Sequence, residues 1–117
     1  MIRPTGSLAV YLCVEPVDFR KQIPGLATIV QGDLELNPFE PSVFGFVNRK
    51  RDQCRLLLWE RNGFVLWNKR LERERFWWPQ AGEQTVTLSV EQLNWLLDGL
   101  DLSRWQPHRA LQFEAVC

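Results

Sequence analysis

The residues best suited to do chemistry in this 117-residue chain are its cations, which are unevenly placed. Nine of the fourteen Lys and Arg residues fall between Arg49 and Arg75, against four acids there: Asp52, Glu60, Glu72 and Glu74. The formal net charge is zero, so this excess of five positive charges is balanced by an acidic remainder. Such asymmetry is how a chain sets aside one face for an anionic partner. Arg49-Lys50-Arg51 has the form of a hairpin tip that reaches along a phosphate backbone, and Lys69, Arg70, Arg73 and Arg75 make a second basic segment. Trp77 and Trp78 adjoin it as candidate stacking platforms for bases. Composition alone favours a plain solvated surface of mixed charge. The case for a binding face rests on placement.

Catalytic chemistry finds little material. No P-loop, nucleophile elbow or dinucleotide-binding glycine pattern is present in the sequence. His108 is the only histidine, which excludes a histidine-pair nuclease site. A two-metal phosphoryl-transfer site needs acids that converge at one place. Asp18, Asp33, Asp52 and Glu60 are the available set, but Asp18 has a helix-capping role and Asp52 and Glu60 flank one short strand. Cys13, Cys54 and Cys117 are odd in number and widely spaced, which fits neither a disulfide framework nor a zinc site. Cys13 and Cys54 read as small apolar residues inside strands. The expectation is no catalytic residue, no metal and no cofactor, with a cryptic metal-dependent nuclease as the weakest alternative.

The elements that must position the cations can be read in order. Leu8–Val14 is a buried strand stopped by Pro16. Asp18 reads as a helix N-cap, with Phe19, Ile23, Leu26, Ala27 and Val30 at helical spacing. Arg20 and Lys21 then stand against the helix dipole, so helix stability does not explain them, and they join the candidate phosphate contacts. Pro24 suits a first helical position, which predicts a loose turn at 18–22, a regular helix from Pro24 and a stop at Gly32. The segment 33–42 is a loop in which Phe39 is expected to plug into the core.

Val43–Val47, Cys54–Glu60 and Phe64–Leu71 read as three further strands. Asn62-Gly63 is the dipeptide that a type I′ turn requires, with positive φ at both residues. With these two at the turn, Leu58 faces Trp67 and Arg55 faces Arg70. Directly opposed like charges destabilise a sheet, so the register differs, a glutamate intervenes or an anion lies there. Trp59 and Trp67 read as core. Trp77 and Trp78 are neighbours and cannot both face one core. Thr85–Leu88 reads as a short edge strand, and Ser89 with Gln92 as a capping box that starts a helix at Val90. Leu93, Leu96, Leu97 and Leu100 are the expected core face of that helix, with Gly99 near its end.

The order β-α-β-β-β-(β)-α defines an α+β domain, with two helices packed on a mostly antiparallel sheet. One domain spans 1–117, with a compact core over about 8–100 and a loosely ordered tail at 101–117. No stretch approaches the roughly 18 apolar residues of a membrane span, and no signal peptide is evident, so the expected location is the cytoplasm.

Several strings follow one another in an order that resembles a known family. They are Pro16-Val17-Asp18-Phe19-Arg20-Lys21, Leu36-Asn37-Pro38-Phe39, Phe46-Val47-Asn48-Arg49-Lys50-Arg51-Asp52, Leu57–Phe64, Trp67–Glu72 and Phe76-Trp77-Trp78-Pro79. From about Val10 to Gly99 the chain is similar to the small TnpB (Orf2) accessory proteins of the IS66 class of bacterial insertion sequences. Pro24-Gly25, Leu58 and Asn68 depart mildly from that pattern. The resemblance implies a role in transposition beside a separate transposase that carries the catalysis. It supplies no catalytic residues. The expected function is an accessory factor that binds DNA, the transposase, or both, through a basic β-hairpin face. A pure protein-interaction module is the alternative.

Overall fold

The computed structural model describes residues 8–80 and 84–104. The elements in order are β1 (Ala9–Cys13), α1 (Ile23–Thr28) running into a π-helical turn (Ile29–Asp33), β2 (Ser42–Val47), β3 (Gln53–Glu60), β4 (Gly63–Arg70), β5 (Thr85–Leu88), α2 (Val90–Leu97) and a 3₁₀ turn (Leu102–Arg104). The five strands form one sheet in the order β4-β3-β2-β1-β5. Only β1 and β2 pair in parallel, across the helical crossover; the other pairings are antiparallel. The chain is thus α+β with a mostly antiparallel sheet.

Strand alternation splits the apolar residues between two faces. On one face Val10, Leu12, Cys54 and Leu56 pack with Leu93, Leu96 and Leu97 of α2 and with Phe76 and Trp78. On the other, Phe44, Phe46 and Leu57 pack with Leu26 and Val30 of the crossover. Central β2 is buried along its whole length. A Cβ at Gly45 would lie 2.6 Å from Leu12 Cδ2, so this position leaves the space that the core leucine fills. Burial pushes the Cys13 thiol up to about 11 and raises that of Cys54 further, so both act as packing residues.

Helix α2 is closed at both ends by local sequence. Ser89 Oγ accepts from the Gln92 N–H, and the Ser89 N–H donates to Gln92 Oε1, a complete capping box. At the other end Gly99 takes φ +88°, its N–H donates to Leu96 O, and the Leu100 N–H donates to Trp95 O. That is a Schellman motif, and its left-handed residue favours glycine.

Several expectations are corrected. The hairpin register is Glu60 opposite Gly63, so Arg61 and Asn62 form the turn. Arg61 holds the left-handed backbone (φ +54°), whereas neither Asn62 nor Gly63 does. The resulting ladder sets Leu56 opposite Trp67 and Arg55 opposite Asn68, which removes the like-charge pair. Asp18 does not cap α1; Gln22 holds that place, and Pro24 lies in the first turn. The π-helical turn runs through Gly32, and the left-handed residue after it is Glu35 (φ +56°). Phe39 is 52% exposed and lies against Trp59 and Phe64 rather than inside the core. Leu100 is likewise exposed. Leu102, in the segment expected to be loose, is buried with the α2 cluster; residues 105–117, including His108, lie outside the described residues.

Candidate nucleic-acid interface

Three segments far apart in sequence meet at one end of the sheet. The first is the β2–β3 connection. Asn48 Nδ2 donates to Asp52 Oδ1 (2.7 Å), and Asn48 Oδ1 accepts from the Gln53 N–H (3.1 Å), so one side chain closes the loop. Its flanks are tied as well: Arg51 O accepts from the Phe76 N–H and Asp52 O from the Leu71 N–H. Arg51 takes φ +62° to make this bend. Arg49 and Lys50 project from it, exposed.

The second segment is the turn that enters α1. The Val17 N–H donates to Val47 O, and the Lys21 N–H donates to Asp18 O. Asp18 accepts the Arg20 N–H and binds the Arg20 guanidinium through both Nε and Nη2. These bonds hold the Asp18 carboxyl at about 2, below the usual carboxylate range. The third segment is the end of β4, where Arg70 pairs with Gln53.

Arg55 holds the turn to the sheet. Its Nη1 donates to Phe19 O (2.9 Å) and Lys21 O (3.2 Å), its Nε donates to Asn68 Oδ1 (3.2 Å), and its guanidinium lies 4.4 Å from the centre of the Phe19 ring. In the sequence Arg55 stands out only through its expected opposition to Arg70, with no role in the site. The available signal was a cation inside an otherwise apolar strand.

The result is a groove of about 700 Å³, lined by Arg20, Arg49, Lys50, Arg55 and Arg70 together with Asp18 and Asp52. Five cations face two carboxylates. Asp52 is held low by its bond from Asn48, with Arg70 and Lys50 adding to the effect, so both acids stay charged near neutral pH. The groove is a focus of positive potential with a moderating acidic component, suited to an anion that approaches by its oxygens.

The remaining predicted residues lie elsewhere. Lys21 lines a second groove of about 580 Å³ with Glu15, Asp18 and Asp33. The Arg51 guanidinium faces the side-chain amide of Gln80. Lys69 points to the opposite face, where Nζ donates to Leu97 O (2.8 Å) and complements the C-terminus of α2. Arg73 and Arg75 are exposed on the strap after β4 and do not line the groove. Trp78 is buried, and its Nε1 donates to Cys13 O (2.9 Å), so it cannot stack on a base; Trp77 is half-buried against the same core. Trp59 stands outside the core, in an edge-on cluster with Phe39 and Phe64. Among the described residues no three His, Cys, Asp or Glu side chains gather as metal ligands, and no helix is long and apolar enough to cross a membrane.

A small α+β domain with a basic groove at one end of its sheet is the class this geometry defines. The chain belongs to the IS66 Orf2-like protein family, whose model matches residues 8–107. That membership ties it to an accessory role in the transposition of an insertion sequence. Two relatives come from Sinorhizobium fredii strain NGR234. The uncharacterized protein y4jC is 32% identical over 104 residues, covering 89% of each chain. The uncharacterized protein y4hO is 34% identical over 109 residues, covering 89% of this chain and 95% of its own. No solved structure matches.

Proposed function

We propose that the chain is a non-catalytic accessory factor of transposition that grips the phosphodiester backbone of DNA in the groove between the 18–21 turn, the β2–β3 loop and the end of β4. One observation carries this reading: Arg20, Arg49, Lys50 and Arg70, from three distant segments, line one concave surface. Arg55 belongs to the scaffold of that surface, because its Nε and Nη1 are committed to Asn68 Oδ1 and to the carbonyls of Phe19 and Lys21, whereas Arg20, though paired with Asp18, keeps its side chain 91% exposed. Contacts from these four cations to phosphate position DNA and carry no sequence information by themselves.

The test is fluorescence anisotropy with a labelled duplex carrying the element end and with a scrambled duplex. Four phosphate contacts give a log–log salt slope of about −3.6 on either duplex. The double variant Arg49→Glu, Lys50→Glu should flatten that slope. Binding of the wild-type chain that is absent, or insensitive to salt, would remove the proposal.

A second reading has its own observation. Phe39, Trp59 and Phe64 form an aromatic cluster at the far end of the β3–β4 hairpin, and Phe39 is half-exposed. Such a patch suits a protein partner, for which the transposase of the same element is the candidate. Co-purification under nuclease separates the readings: a complex that survives is held by protein, and one that is lost is bridged by DNA.

A further inference from the structure

The sheet has two edges, and they are built differently. On one side β5 has four residues and runs directly into the Ser89 cap of α2. Short edge strands resist pairing with other chains. On the other side β4 has eight residues, and among the described residues nothing pairs with its outer edge. Its ladder with β3 is unbroken from Gly63 to Arg70, so no bulge turns the edge away, and it contains no proline. Phe64, Val65, Leu66 and Trp67 are all only partly covered. The usual protections of a free edge are missing along this run.

We propose that a second copy of this chain occupies that edge, β4 pairing antiparallel with its partner's β4 about a two-fold axis near Leu66. The charge pattern favours self-pairing there. With the axis on Leu66, Val65 lies opposite the partner's Trp67 and Phe64 opposite the partner's Asn68. Gly63 then lies opposite the partner's Lys69, and Asn62 opposite the partner's Arg70. No two cations meet. An axis shifted to Val65 would set Arg61 against the partner's Lys69, a like-charge pair that costs stability. A two-fold axis perpendicular to the sheet keeps the α1 sides of both copies on one face, and an isologous contact of this kind closes without further growth.

The pairing has a geometric corollary that rests on the DNA reading, as the dimer itself does not. The two Arg70 residues would be eight strand positions apart, about 26 Å at the usual rise, and both grooves would open on the same side. That separation is somewhat shorter than the roughly 34 Å of one duplex turn.

The experiment uses the full chain without DNA. Sedimentation velocity across a dilution series is expected to show a monomer–dimer equilibrium. Val65→Lys is the disrupting variant, since Val65 packs against neither core cluster. It adds a charge beside the partner's Lys69 and should weaken association at least about ten-fold. Circular dichroism checks that the variant is folded. In the wild-type chain, amide exchange of residues 63–70 should slow in the dimer and speed up on dilution. A wild-type chain that stays monomeric, or a dimer whose β4 amides exchange equally at all concentrations, overturns the proposal. A folded Val65→Lys variant that dimerises as well as wild type does so too.

Discussion

Arg55 stands directly opposite Asn68 across the β3–β4 ladder, and its Nε donates to the Asn68 Oδ1 at 3.2 Å. The same guanidinium accounts for two backbone carbonyls of the 18–21 turn. A planar fork that serves three acceptors cannot be replaced by an ammonium. Arg55→Ala should therefore cost about 2–3 kcal/mol in urea unfolding, and Arg55→Lys most of that. Either variant should also loosen the 18–21 turn, seen as faster amide exchange at Lys21.

The hairpin turn makes a prediction with an unexpected sign. Arg61 holds φ +54°, a backbone in which any Cβ crowds the following carbonyl oxygen. Arg61→Gly should stabilise the chain by about 0.5–1 kcal/mol, the strain relieved less the extra entropy of glycine. A Cβ at Gly63 meets nothing within 4 Å, and its φ is not positive. Gly63→Ala should therefore change stability by less than about 0.5 kcal/mol. With Asn62-Gly63 at the turn, the same change would be costly, so thermal unfolding of this variant reports the register.

Gly45 gives the opposite result. An added methyl would press on Leu12, which is itself fully buried. Gly45→Ala should destabilise by about 1–3 kcal/mol, the usual cost of overpacking. A stability loss within the error of a urea melt would show that Leu12 has room to move.

Asp18 sets a pH dependence. Its carboxyl is lowered from 3.8 to about 2, first by the Arg20 side-chain bond and next by the Arg20 N–H. A folded value below the unfolded one means that this contribution to stability is complete above about pH 4. It fades as pH falls through about 2. Carboxyl-detected NMR should find that midpoint in the wild-type chain. Arg20→Ala should move it back toward 3.8, because the side-chain bond is lost.

Lys69 is the control for the proposed DNA contact. Its Nζ is committed to Leu97 O on the face opposite the groove. Lys69→Met should leave the DNA affinity and salt slope unchanged while lowering stability by about 1 kcal/mol through the lost helix cap. Arg70→Met, one residue along the strand, should weaken DNA binding and reduce the slope by about 1.

Much of the scaffold was legible because its signals are local. The Thr85–Leu88 strand, the Ser89–Gln92 capping box and the helix entry at Pro24 depend on residues within one turn of each other. The hairpin register was not legible from polarity. The two competing registers differ by two residues, so every side chain keeps its face and the apolar pattern fits both. Charge alone distinguished them, since one opposes Arg55 to Arg70 and the other opposes it to Asn68. Phe39 and Trp78 show a second limit. Both are aromatic residues beside a proline, yet one lies outside on Trp59 and the other donates to Cys13 O inside. The groove shows a third. Arg20 and Arg49 become neighbours only through the parallel β1–β2 pairing and the crossover between those strands. The two cationic segments read from the sequence divide accordingly: Arg49, Lys50 and Arg70 line the groove, while Lys69, Arg73 and Arg75 do not.

The position of β1 bears on how the chain acquires its structure. β2, β3 and β4 form a meander of neighbours in sequence and can assemble early from short loops. β1 sits between β2 and β5, and its partners are residues 42–45 on one side and 85–88 on the other. β1 can pair with β2 once the crossover is made, but its other side is completed only by β5, the strand that follows all the others in the chain. Mutations in β1 such as Val10→Ala should accordingly speed unfolding and leave the folding rate nearly unchanged, whereas changes in the meander should slow folding. On the ribosome, the sheet remains open along β1 until Leu88 has cleared the exit tunnel.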